Sequence, residues 1–286
     1  MELMSLKYFC YAAEAESFSR TAEHFTVPTS NISQIIKRLE EELGVKLFDR
    51  SGNRVKLNES GRRLYLGAKQ ALATLEDTKR SLTTDESEEG EIKLLILNNR
   101  RRVADIIEHF GKTHPAVTFS IAHKLTGSPA DYDIIISDTL PYLKGYAKEL
   151  FVKERLALAT EGSSPLTAVP NITSQMLSQQ KYITMLEDSS LYKATADIFK
   201  GLGISPKIII KCDDPAIIHR YVEMGLGVAI IPSVSWSDVF SDGVKVLDIG
   251  DFFRESYIFS KECATQIKRV SLFLDELKNH KFVDFS

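Results

Sequence analysis

Leu6, Phe9, Cys10 and Ala13 recur at i, i+3, i+4 and i+7, one face of a helix, so the chain opens with an amphipathic segment. Ser19 is placed to cap a second, shorter helix ending at Phe25, in which Ala22 is small enough for another helix to cross closely. After the turn Thr26-Val27-Pro28, two stripes run down one helix. Ile32, Ile35, Ile36, Leu39 and Leu43 form the apolar stripe; Ser30, Ser33, Gln34 and Lys37 share the spacing on the opposite side. With Thr29 beside them, these hydroxyl, amide and cationic groups suit base edges and phosphates. The pair of helices reads as a helix-turn-helix whose second helix does the reading, with Arg38 available to phosphate. Gly44 is a natural stop. Val45 and Leu47, then Val55 and Leu57, flank a turn at Asp49 to Arg54 and predict two short strands of a wing, with Arg50 and Arg54 reaching phosphate or the minor groove.

Asn58 can cap a proline-free helix from Glu59 to about Thr83, roughly 37 Å long at 1.5 Å per residue. Gly61, Leu64, Ala68, Ala71, Leu75, Thr78 and Leu82 alternate in steps of three and four. A narrow seam with no partner nearby in sequence predicts that Leu64, Ala68, Ala71, Leu75 and Leu82 pair with the same helix of a second subunit. An acidic hinge over 85–90 follows. Beyond it the pattern becomes strands alternating with helices: Ile92 to Leu97, a helix through Phe110, Val117 to Ile121, Ile134 to Ile136 and Leu150 to Ala159. A second unit has strands at Tyr182 to Thr184, Lys207 to Cys212 and Val228 to Ile231, with helices over Leu191 to Lys200 and from Asp214-Pro215 to Met224. Strands at Val244 to Ile249 and Tyr257 to Ser260 and a closing helix around Ile267 to Leu277 complete it. This is α/β grammar with a largely parallel sheet. The organisation predicted is a DNA-binding unit at 1–58, a linker helix at 59–84, the hinge, and an effector domain at 91–286. In that domain lobe I takes about 91–160 and 257–286, and lobe II about 161–256.

Composition modifies this picture locally. The 286 residues are 43% hydrophobic and 26% charged with a net charge of -3, the profile of a globular protein without a global basic bias. Between Pro28 and Arg63, however, Lys37, Arg38, Lys46, Arg50, Arg54, Lys56, Arg62 and Arg63 outnumber the acidic residues. Three distant cysteines form no CxxC pair and no metal-ligand spacing, so reduced thiols, no metal and a cytoplasmic setting are expected, with no leader and no membrane span. Gly225-Leu226-Gly227 follows a helix and precedes a strand, the reverse of a dinucleotide loop. No P-loop, GxSxG or HExxH occurs, so neither catalysis nor a cofactor is expected. Ligands of α/β lobes bind off the carboxyl ends of strands, which here carry Asn98, Asn99, Ser137, Asp138, Thr160, Thr184, Met185 and Asp213. Arg100 and Arg101 stand where a helix begins, against its partial positive charge, and call for an anionic partner.

Leu6-Lys7-Tyr8-Phe9, Ser17 to Ala22, Ile32-Ser33, Leu39 to Arg50 and Gly225 to Pro232 together resemble the LysR-type transcriptional regulators, and the resemblance extends over essentially the whole length. It implies an all-α winged helix-turn-helix, a dimerising linker helix and a two-lobed, periplasmic-binding-protein-like sensor. A small metabolite between the lobes, anions being candidates, would change how a dimer of dimers sits on bacterial promoter DNA. The chain departs from the family at Pro28, Thr29 and Ser30, which stand where a capping serine, glutamine and proline are usual, and at Gln34, which replaces a common arginine. His123 to Asp133 is short and lacks a helix that normally separates two strands. Two other readings stay open: a DNA-binding protein whose sensor has lost its ligand, and a solute-binding or enzymatic α/β protein with an attached winged helix.

Overall fold

The computed structural model describes residues 2–51, 54–84, 88–138, 140, 143–236 and 243–280. Its N-terminal unit packs α1 (Leu3–Ala15), α2 (Phe18–Phe25) and α3 (Thr29–Leu43) around Phe9, Ile32, Ile36 and Leu39, all nearly inaccessible to water. Ser17, rather than Ser19, caps α2: its side chain accepts from the Arg20 N–H, and the Thr21 hydroxyl donates back to its carbonyl. Thr26, in the left-handed region at φ 55°, ends α2, and Pro28 precedes α3 without a side-chain cap. Gly44 closes α3 in the same conformation at φ 69°.

The apolar stripe of α3 runs out early. Leu43 is exposed, and the buried group on the last turn is Glu40. Its carboxylate accepts from the Leu47 N–H at 2.9 Å and more weakly from Phe48 at 3.4 Å, and pairs with the Lys46 ammonium at 3.0 Å. Because the Leu47 N–H is spent on Glu40, the wing begins later than the alternation of Val45 and Leu47 predicts: β1 is Phe48–Ser51, antiparallel to β2 (Arg54–Leu57), and Val45 is exposed. Burial alone would raise the Glu40 pKa, but the backbone donors and Lys46 outweigh it and hold the carboxyl below its usual value.

The linker helix α4 (Glu59–Thr84) starts at Asn58, whose side chain accepts from the Gly61 N–H. A β-carbon at Gly61 would run into the Leu47 carbonyl oxygen, so this glycine lets α4 lie against the wing. Leu64 and Ala68, read as seam residues, instead pack with Tyr65 and Leu72 into the core of the N-terminal unit. Ala71 and Leu75 are exposed on α4, although the helix still meets α1 at Glu76, which pairs with Lys7 at 3.3 Å; the Leu82 side chain lies outside the described residues. Lys69 binds Glu14 of α1 at 2.7 Å and Asp131 of the following domain at 3.7 Å, and Gln70 donates to the Lys144 carbonyl.

The remaining chain forms β3 (Gly90–Ile96), α5 (Arg100–Thr113), β4 (Val117–Ala122), β5 (Ile134–Ser137), the long β6 (Tyr146–Glu161), α6 (Ser174–Ser178), β7 (Lys181–Met185) and α7 (Ser190–Gly201). Then come β8 (Lys207–Cys212), α8 (Pro215–Glu223), β9 (Ala229–Pro232), β10 (Val244–Leu247), β11 (Phe253–Lys261) and α9 (Lys268–Asn279). The sheets are mixed rather than largely parallel. In the first lobe β4, β3 and β5 are parallel, while β11 runs antiparallel between β5 and β6. In the second, β10 and β9 flank the far half of β6 antiparallel, and a bridge from Tyr182 to Val228 joins the parallel pair β7 and β8. The mixture arises because β6 spans both lobes, pairing with β11 up to Arg155 and with β9 from Leu156, and because β11 returns to the first lobe from the second. Between β4 and β5 stands a single 3-10 turn, Pro129–Asp131, in the segment whose sequence lacks a helix.

Glu40→Ala leaves two buried N–H groups without their charged acceptor, and should cost about 2–3 kcal/mol. Since the folded pKa is lowered, this contribution is present above the unfolded carboxylate value and is lost as pH falls through the folded one. Thermal unfolding of the two proteins at neutral and acidic pH should show a gap that narrows in acid; equal melting temperatures at neutral pH would refute the role.

Candidate DNA interface and ligand cleft

Helix α3 turns its polar side outward. Thr29, Ser30, Gln34, Lys37 and Arg38 are exposed and Ser33 is half-buried. Lys37 reaches Glu41 one turn on at 3.6 Å, a contact between two exposed groups that leaves the ammonium available. The start of α3 has no side-chain cap, and Thr29 and Ser30 in its first turn are exposed. Arg50 lies one residue before the end of β1 and Arg54 opens β2, their side chains lying outside the described residues.

Between the lobes lies a cavity of about 280 Å³. Three helix starts border it: Asn99 to Arg101 at α5, Ser189 to Leu191 at α7, and Asp214 to Ala216 at α8. Ser189 and Asp214 cap their helices, accepting from the N–H groups of Leu191 and Ala216. Asn99 takes the left-handed conformation at φ 54°, which asparagine tolerates, and turns the chain from β3 into α5. Its side-chain amide donates to Asn98 and to the fully buried Ser256 of β11. Asn98 Nδ2 and Asn99 Oδ1 are buried and have no partner among the described residues. Arg254 of β11 also lines the cavity and donates to Asp138 at 2.7 Å, both side chains being only 8% exposed. The Ser235 N–H and hydroxyl go to Glu154 of β6, which seats Trp236 at the wall.

Residues 3–62 match the family described as bacterial regulatory helix-turn-helix proteins of the lysR family, and residues 85–281 match the LysR substrate binding domain. The chain belongs to the LysR family. A curated relative, the transcriptional regulator CysB of Burkholderia cenocepacia, is 28% identical over 87% of this chain and 85% of its own. The uncharacterized regulator YybE of Bacillus subtilis is 25% identical over 83% and 85%. Among solved structures, a full-length OxyR variant from Pseudomonas aeruginosa superposes with a TM-score of 0.72 at 20% identity, covering 98% of this chain and 95% of that one. Full-length CbnR in complex with its target DNA gives 0.62 at 19%, covering 97% and 99%. This LysR-family chain is therefore a DNA-binding regulator with an effector-binding domain, in a family of regulators rather than enzymes.

Of the strand-end residues read as effector ligands, Asn98, Asn99, Arg100, Arg101, Met185 and Asp213 line the interlobe cavity. Four do not. Ser137 is buried and its hydroxyl accepts from the Leu140 N–H; Asp138 is taken by Arg254. Thr160 is buried in β6 beside β10, and Thr184 faces a separate cavity under α7 with Tyr192 and Phe199. Ser189, Ser190, Asp214, Trp236 and Arg254 went unread. The first two and Asp214 carry a legible signal, a small polar residue just before an apolar helical period. Arg254 lies ahead of a bulge at Ser256/Tyr257 that breaks the strand's alternation. Among the described residues, no three metal-ligating side chains cluster and no helix is long and apolar enough to cross a membrane.

Arg254→Met strands the Asp138 carboxylate and should cost about 3–5 kcal/mol. In chemical denaturation, adding Asp138→Asn to that variant should recover most of the loss; a single variant as stable as the parent would dismiss the pair.

Proposed function

We propose that this LysR-family regulator reads promoter duplex through Thr29, Ser30, Ser33, Gln34 and Lys37 of α3 in the major groove. Arg38, Arg50 and Arg54 bind backbone or minor groove, and a small molecule in the interlobe cavity modulates the binding. The observation that carries the reading is the exposed polar stripe of α3 opposite its buried isoleucines, on a helix with an uncapped N-terminus. It works in the cytoplasm, where the duplex is. Ala71 and Leu75, exposed on α4, favour a seam with a second subunit, and the exposed Ile121 and Ile209 on the sheet-edge strands β4 and β8 add apolar surface for assembly into dimers of dimers. The cavity itself speaks against a sensor that has lost its ligand.

Duplexes selected from a random pool by the full chain supply the probe. Lys37→Ala should weaken binding to all of them and lower the slope of log affinity against log salt by about 1, whereas Ser33→Ala and Gln34→Ala should change which sequences are selected. An unchanged slope, or unchanged selection by both, would contradict these roles. Sedimentation of Leu75→Asp should show a shift toward the monomer; an assembly state equal to the parent's would move the seam elsewhere.

A further inference from the structure

The charges around the interlobe cavity are sorted by lobe. On the side of α5 they are cationic. Arg100 donates one N–H to the His123 carbonyl, and neither it nor Arg101 has an ion-pair partner among the described residues. On the side of α7 and α8 they are anionic. Asp214 is committed to its helix cap, and Asp213 has no partner among the described residues. The third arginine of the wall, Arg254, is already matched by Asp138. Asn98, 6% exposed and lining the same cavity, offers its unpartnered Nδ2 as one more donor on the cationic side. Trp236 and Met185 supply apolar wall.

The geometry points to a ligand that carries both charges, a small zwitterion of the amino-acid type. Its carboxylate lies on Arg100, Arg101 and Asn98, its ammonium meets Asp213, and its carbon side chain rests on Trp236 and Met185. This inference rests on the reading of the cavity as the effector site. Charge arithmetic decides against the simpler ligands. A dianion would place its second carboxylate against Asp213 and Asp214. The N-termini of α7 and α8 contribute roughly half a positive charge each, about +1 together, which does not offset two carboxylates. A plain amine would meet two uncompensated arginines. A dipolar ligand avoids both like-charge contacts, and by pairing with each lobe it favours their approach.

Trp236 is the chain's single tryptophan, so its emission reports the cavity in the full-length protein. The probes are the common L-amino acids, the 2-hydroxy acids and amines that match them, and four- and five-carbon dicarboxylates. At least one amino acid should give a saturable change in emission, with its hydroxy acid and its amine each binding about tenfold more weakly, or about 1.4 kcal/mol. Asp213→Asn, which leaves the Asp214 cap in place, should bring the amino acid and its hydroxy acid to within about threefold of each other. Arg101→Ala should do the same for the amino acid and its amine. A hydroxy acid or dicarboxylate that binds as tightly as any amino acid would overturn the zwitterion while leaving the effector site standing. No response of emission or melting temperature to any probe would overturn both.

Discussion

The effector domain depends on one constraint: a single strand must serve both lobes at once. β6 hydrogen-bonds to β11 along its first ten residues and to β9 and β10 along its last six, so the backbone passes from one sheet to the other without a loop. The strand thus continues from one lobe into the other, with one bulge opposite it at Ser256/Tyr257 in its ladder with β11. The polar side chains buried at that crossing fit this arrangement. Glu154 is satisfied by Ser235, and Ser256 by Asn99, so each side of the cavity is tied to β6 or β11. Arg254 and Asp138 add a buried charge pair at the same level.

In the N-terminal unit a single carboxylate has the corresponding role. Glu40 ends the apolar run of α3 and draws the first residues after Gly44 toward itself, which fixes where the wing starts relative to the reading helix. The helix and the wing are thus held in a set relation to each other, because the acceptor that joins them is inside the fold and held ionised.

Periodicity made the elements legible, since the burial of Phe9, Ile32 and Ile36, or of Ile134 to Ile136, follows from local pattern alone. It failed where a residue's role is set by something distant in sequence. Glu40 sits among three consecutive glutamates, and nothing local separates the buried one from its exposed neighbours. Leu64 and Ala68 keep a heptad spacing that looks identical whether the partner is a second subunit or the chain's own N-terminal core, and only the packing shows which of the two they use. The candidate ligand site was half legible. Strand ends located Asn98 to Arg101, Met185 and Asp213, but Asp138 and Arg254 are 116 residues apart and cancel one another in a way no window of sequence reveals. Sheet direction was misread for a related reason, because strands returning from the other lobe arrive antiparallel.

Lys69 sits where three parts of this molecule meet. One ammonium on the linker helix answers two carboxylates, close to Glu14 of the DNA-binding unit and looser to Asp131 of the sensor, with Tyr65 also donating to Glu14. The tighter grip is on the reading side. The same helix also meets the sensor through Gln70, which donates to the Lys144 carbonyl at 2.9 Å. Two adjacent side chains of α4 therefore tie it to the domain that follows, and one of them ties it at the same time to the unit that precedes it.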